Sequence, residues 1–158
     1  MTSCVMSILT ILLVCGVSAA NGCSLGWLTG PSGCYFLSRF TATWGEASSV
    51  CQGFGGKLAE PMDEDSYTFL TGSIHDRGQA GVQFSVGGSD MFVEGVWEWS
   101  SSGAKVMNNH WLPGEPNDDN NNGDCLTLHD NGFNDLECHS LHYFICEKEL
   151  EIEPGIVG

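Results

Sequence analysis

Oxygen-bearing side chains crowd the stretch Glu115-Pro116-Asn117, Asp124-Cys125, Asn134-Asp135 and Cys138. Carboxylates and amide carbonyls are hard donors, and a calcium ion takes roughly six to eight of them. No thiolate pair or clear imidazole set accompanies them, so the chemistry points to calcium rather than zinc. A site of this kind binds; whether it also reacts depends on a nucleophile or a paired acid and base. Ser101, Ser102 and the acidic residues show no nucleophile-elbow or zinc-protease spacing. A glycosidase using two of the many carboxylates is the enzymatic alternative. It needs a pair flanking one scissile bond, and abundance of Asp and Glu is not such a pair. His139 and His142, with His110 and His129 near the loop, read as surface or packed residues rather than as a zinc site or base.

The rest of the chain says where such a site works. Val5 to Val14 is a short apolar run ahead of Cys15-Gly16-Val17-Ser18-Ala19-Ala20, which has the small residues of a signal-peptidase site. The run lacks the Lys or Arg that normally opens a leader. It is also shorter than the about 20 apolar residues that span a bilayer, so residues 1–20 read as a cleaved signal peptide rather than an anchor. A secreted, extracellular chain without membrane insertion follows. Of eight cysteines, Cys4 and Cys15 fall in the leader, leaving Cys23, Cys34, Cys51, Cys125, Cys138 and Cys146. An even number in an oxidising compartment implies disulfides, and arithmetic alone does not choose the pairing. Five Lys plus Arg stand against 20 Asp plus Glu. That surface repels phosphate backbones and anionic headgroups, which excludes nucleic acid and bare membrane as partners.

The elements that must position the oxygens are legible in outline. Leu25–Leu28 and Cys34–Leu37 are apolar runs joined by Thr29-Gly30-Pro31-Ser32-Gly33, which predicts a hairpin. Thr43 and Glu46 have capping-box spacing, so a helix starts there with Trp44, Ala47, Val50, Cys51 and Phe54 on one face. A second helix is predicted from Asp63 to about His75, with Tyr67, Leu70 and Ile74 inward and Gly78 closing it. Strands are predicted at Gln83–Val86, Trp97–Trp99, Leu126–Leu128 and His142–Cys146. Between Met107 and Asp124 the chain is a long polar loop with Trp111 as its large anchor, and such loops are commonly functional. Residues 149–158 read as an acidic tail.

Taken in order, Cys23 with Gly26-Trp27, Cys34-Tyr35, Trp44/Ala47/Cys51, Trp97-Glu98-Trp99, Trp111, Glu115-Pro116-Asn117, Asp124-Cys125, Asn134-Asp135, Cys138 and Tyr143-Phe144-Ile145-Cys146-Glu147 resemble the C-type lectin domain family in its long form. The resemblance covers residues 23–147 and implies an α+β fold with two helices flanking small antiparallel sheets. It implies disulfides Cys51–Cys146, Cys125–Cys138 and Cys23–Cys34, in a recognition domain spanning residues 21–148. It also implies that Glu115, Asn117, Asn134 and Asp135 hold a primary calcium and the carbohydrate, with Pro116 cis. Glu-Pro-Asn goes with mannose, N-acetylglucosamine and fucose in this family, and Gln-Pro-Asp with galactose. Asp90, Glu94, Asp118 and Asp124 match an auxiliary calcium set, with ordinary solvated turn residues as the alternative for Asp90 and Glu94.

Three positions depart from the family pattern. Gly123 stands where a further Glu ligand precedes the Asp-Cys pair, Phe133 replaces a Trp, and Gln83-Phe84-Ser85-Val86-Gly87 loosely matches the core strand Trp-Ile-Gly-Leu. The implied function is a lectin, not an enzyme, that binds mannose-type glycans on microbial surfaces in innate immunity. The alternative is a domain that keeps the fold but binds a protein or other ligand. A homo-oligomer would have to form through the domain or its tail.

Overall fold

The computed structural model describes residues 22–106 and 109–150. The expected leader, Met107 and the tail beyond residue 150 lie outside those residues. Strands β1 (Leu28–Thr29) and β2 (Cys34–Leu37) form the N-terminal hairpin, with Leu28 opposite Tyr35. Only the end of the Leu25–Leu28 run pairs, and Leu25 itself is fully exposed. Cys23 and Cys34 close this hairpin with a disulfide.

Helix α1 (Trp44–Gly53) begins at the expected cap. The Thr43 hydroxyl accepts from the Glu46 amide, and the Glu46 carboxylate accepts from the Thr43 amide at 3.0 Å. These bonds satisfy amides that the first turn leaves unpaired. Ala47 and Cys51 are buried and Trp44 and Val50 half-buried, whereas Phe54 ends the helix half in solvent. Strand β3 (Lys57–Leu58) follows, then α2 (Glu64–Asp76), whose cap Asp63 accepts from the Ser66 amide at 2.7 Å. Leu70 and Ile74 are fully buried. Gly78 takes the positive φ of 68° that ends the segment.

The remaining strands are β4 (Phe84–Ser89), β5 (Glu98–Trp99), β6 (Cys125–Leu128), β7 (Phe133–Leu136) and β8 (Tyr143–Lys148). The sheet order is β1-β2-β8-β4-β6-β7, with β3 on β8 and β5 on β4. All pairings are antiparallel except β4 with β8, where Phe84 faces Tyr143. The α+β fold with two helices is therefore present, and its sheet is mixed. β8 pairs with β2, β3 and β4, and Cys51–Cys146 pins α1 onto it.

Phe84, Val86, Trp99, Leu126, Leu128, Phe133 and Ile145 form the main core with Leu70 and Ile74. Burying each such side chain contributes about 1.5–3 kcal/mol. β4 is buried along its whole length, so the loose core-strand match still packs fully. The Trp44 indole donates to the Val86 carbonyl at 2.8 Å and ties α1 to that strand.

Candidate functional site

The β6–β7 hairpin carries half of the candidate donors. Its register sets Leu126 opposite Asp135 and Thr127 opposite Asn134, and Cys125–Cys138 closes its base. Side chains alternate along a strand. Phe133 therefore enters the core against Trp99 and Trp111, and keeps the role of an aromatic anchor. The loop carrying the other donors is fastened to the same strand. The Leu112 amide donates to the Phe133 carbonyl at 2.9 Å, and the Phe133 amide to the His110 carbonyl at 2.7 Å. The Glu115 amide then donates to the Leu112 carbonyl, and the Glu115–Pro116 peptide is cis.

Asp135 draws the next two residues inward. Its Oδ1 accepts from the Asn117 amide at 3.0 Å and its Oδ2 from the Asp118 amide at 2.6 Å. Asp118, Asn120 and Asn121 all take positive φ, a conformation that Asp and Asn tolerate best among residues with a side chain. The Asp118 Oδ1 accepts from the Gly123 amide at 3.0 Å and closes the turn. A long apolar-poor loop is thus ordered by carboxylates that accept backbone N–H groups.

Glu115 and the Asn117 backbone amide consequently meet Asp135, which follows Asn134 on β7. Burial first, and then the neighbouring Asp135, holds the Glu115 carboxyl above its ordinary value. Glu115 Oε2 and Asn134 Oδ1 are buried with no hydrogen-bond partner. A buried acceptor left unpaired costs about 1–3 kcal/mol, and a bound cation would relieve it. The donors are two carboxylates and two amides, all oxygen, and they fit calcium. Among the described residues, no three histidine, cysteine, aspartate or glutamate side chains converge into a metal-holding group. At Gly123 an added Cβ would meet Asp135 Oδ2 at 2.5 Å and the Asp118 Cα at 3.1 Å. The absence of a side chain at position 123 leaves the room that the Asp135 carboxylate and the Asp118 backbone occupy.

The auxiliary set lies next to this loop. The Asp90 amide donates to the Asp124 carbonyl, and Asp90 Oδ2 accepts from the Gly95 amide at 2.9 Å. Asp90 Oδ1 is buried and unpartnered. Its carboxyl is raised by burial, with Asp124 and Asp118 adding repulsion. Glu94 is raised chiefly by Asp90, and also by Asp118 and Asp124. The four carboxylates feel one another, although they do not close on a common point.

The histidines engage separate partners. His110 stacks on Tyr67 at 3.7 Å between centroids and reaches Glu64 at 2.9 Å, and His129 lies beside Asp130. Burial lowers the His142 imidazole.

Gln83 and Thr127 were not among the expected site residues, yet both lie behind Asn134. The Thr127 hydroxyl donates to Gln83 Oε1 at 2.7 Å, and Asn134 Nδ2 stands 3.4 Å from the same oxygen. The available signal was Gln83 itself, a polar residue at the head of the segment that matches the core-strand pattern only loosely.

The Lectin C-type domain family profile matches residues 40–148. Perlucin of Haliotis laevigata is 34% identical over 133 residues, covering 81% of this chain and 84% of its own. CD209 antigen-like protein D of Mus musculus is 31% identical over 128 residues, covering 80% of this chain. The chain spans only 52% of that relative's length. Among solved structures, the C-type carbohydrate-recognition domain of cow CD23, determined in the presence of a GlcNAc2Man3 oligosaccharide, superposes with a TM-score of 0.72. It is 25% identical, with 84% of this chain and 99% of that chain covered. On the matched domain, the fold and its three disulfides, the chain belongs to the C-type lectin domain family.

Proposed function

We propose that this chain is a secreted, calcium-dependent lectin for mannose-type glycans, with a leader at residues 1–20 and a recognition domain at 21–148. The observation that carries the reading is the pair of unpartnered buried oxygens, Glu115 Oε2 and Asn134 Oδ1, beside Asn117 and Asp135. Calcium bound there would supply the positive charge that takes neighbouring sugar hydroxyls in place of water. Asn117 offers amide N–H donors to those hydroxyls, and Glu115 offers an acceptor. The order Glu-Pro-Asn supports mannose, N-acetylglucosamine or fucose over galactose. Asp90, Glu94, Asp118 and Asp124 form an auxiliary cation set whose mutual repulsion a second calcium would relieve.

Membership in a family of carbohydrate-binding domains supports a binding role without catalysis, and recognition of microbial surface sugars in innate immunity is the biological role that fits it. Single shallow sugar sites bind weakly, so useful avidity requires clustering of sites, as in a homo-oligomer.

The test is retention on mannose–agarose in about 5 mM calcium, above the millimolar range of weak extracellular modules, with elution by EDTA. Retention released by EDTA is the expected result. A second reading has its own observation: Asp135 already accepts two backbone amides, and Gly123 offers no carboxylate in its place. No retention on mannose or on a parallel galactose column favours that reading, a lectin-fold domain whose partner is not a sugar.

A further inference from the structure

An asparagine side chain presents an oxygen from one edge and an NH2 from the other, in nearly the same shape. Only the oxygen edge can hold a cation, so an asparagine ligand works in one of its two orientations. What fixes that orientation at Asn134 lies on the far side of the amide, in the segment that departs from the family's core-strand pattern. Gln83 precedes β4, and its Oε1 accepts the Thr127 hydroxyl at 2.7 Å. The same Oε1 faces Asn134 Nδ2 at 3.4 Å. The opposite edge of the amide, Oδ1, is then left buried and unpartnered. Thr127 is itself immobilised, fully buried on β6 directly opposite Asn134.

We infer that Gln83 is a positioning residue: its side-chain oxygen takes the Asn134 NH2 and so turns the Asn134 oxygen toward the candidate calcium position. The inference rests on the calcium reading above. Gln83 touches neither the cation position nor sugar in this assignment; it acts through Asn134. Partners of this kind, behind a metal ligand, typically change metal affinity by about 10- to 100-fold when removed. The fold itself depends on Gln83 much less. The Thr127 hydroxyl also lies 3.1 Å from the Asn134 carbonyl, and keeps that acceptor when Gln83 is replaced.

A double-mutant cycle read by calorimetric titration of calcium tests the assignment. An aspartate at position 134 has two equivalent oxygens and needs no orienting partner. Gln83→Met is therefore expected to weaken calcium binding about 10-fold in the wild-type background. In the Asn134→Asp background the same change is expected to cost less than about twofold. Gln83→Glu keeps an acceptor oxygen and is expected to bind at least as tightly as wild type, which covers the case of a poorly folding methionine variant. Unfolding temperature in EDTA is expected to stay within about 2 °C of wild type for Gln83→Met. Equal losses in both backgrounds, or an unchanged affinity in Gln83→Met, overturn the positioning role alone. A wild-type chain that binds no calcium overturns both the role and the reading beneath it.

Discussion

Around β8 the backbone is held by four kinds of clamp at once: three neighbouring strands, the buried Cys51–Cys146 disulfide, α1, and a Lys57–Glu60–Glu147 charge cluster. Around residues 109–124 it is held by Trp111 at one end and by Asp135 and Asp118 accepting backbone amides at the other. The first region spends apolar burial and cross-links on rigidity and leaves few acceptors unpaired. The second uses carboxylates as structural acceptors and still leaves Glu115 Oε2, Asn134 Oδ1 and the neighbouring Asp90 Oδ1 without partners. A scaffold can afford to be complete, whereas a binding loop must retain unmet valence for its ligand.

The contrast can be broken by mutation. Replacing Cys51 and Cys146 together with Ala removes a link across 95 residues. It is expected to cost about 4 kcal/mol in urea unfolding, with no compensation by calcium. Asp135→Ala strips two backbone amides of their acceptor and is expected to cost about 3 kcal/mol. Unlike the cysteine change, it should also abolish calcium-dependent retention on mannose, because it cuts into the second region.

Lys57→Met leaves the buried Glu60 carboxylate and Glu147 without their cation. The Lys57 side chain is 36% exposed, so solvent screening limits the loss to about 2 kcal/mol, checked by urea unfolding. Changing Glu115→Gln with Asn117→Asp sharpens the comparison from the other side. Stability in EDTA should move by less than about 0.5 kcal/mol, while column preference should shift from mannose toward galactose.

The smallest effect concerns Glu147. Burial holds its carboxyl above the usual glutamate value despite Lys57. A raised carboxyl adds stability below its unfolded value, about 4.3, and that contribution is lost as pH rises through the folded value. Glu147→Gln is expected to flatten this part of the stability–pH curve while leaving sugar binding untouched.

Sequence legibility followed the same division. Thr43, Glu46 and Asp63 announce their helices because capping is a local affair of three or four residues. The six cysteines announced disulfides, and the family resemblance supplied the pairs that the structure contains. β3 and β7 were not foreseen. Lys57–Leu58 is too short to show a period, and Asn134 and Asp135 in Phe133-Asn134-Asp135-Leu136 are residue types that strands disfavour. β4 runs on through Gly87, Gly88 and Ser89, which no strand propensity favours. Those glycines are required by close approach: a Cβ at Gly88 would meet Leu126 at 2.6 Å. At the site, the sequence named the donors but not their second partners. Hydrogen bonds from the Asn117 and Asp118 amides to Asp135, or from the Asn134 side chain to Gln83, span distances along the chain that no local pattern encodes.

The place of β8 at the centre of the sheet has a consequence for biosynthesis. Tyr35 pairs with Glu147 and Cys51 bonds to Cys146, so early segments wait for residues more than 90 positions later. The N-terminal hairpin and the helices emerge without the strand that joins them to the rest of the sheet. A half-made chain therefore exposes β2 and β4 as open edges, and must be kept from pairing with its neighbours until β8 arrives.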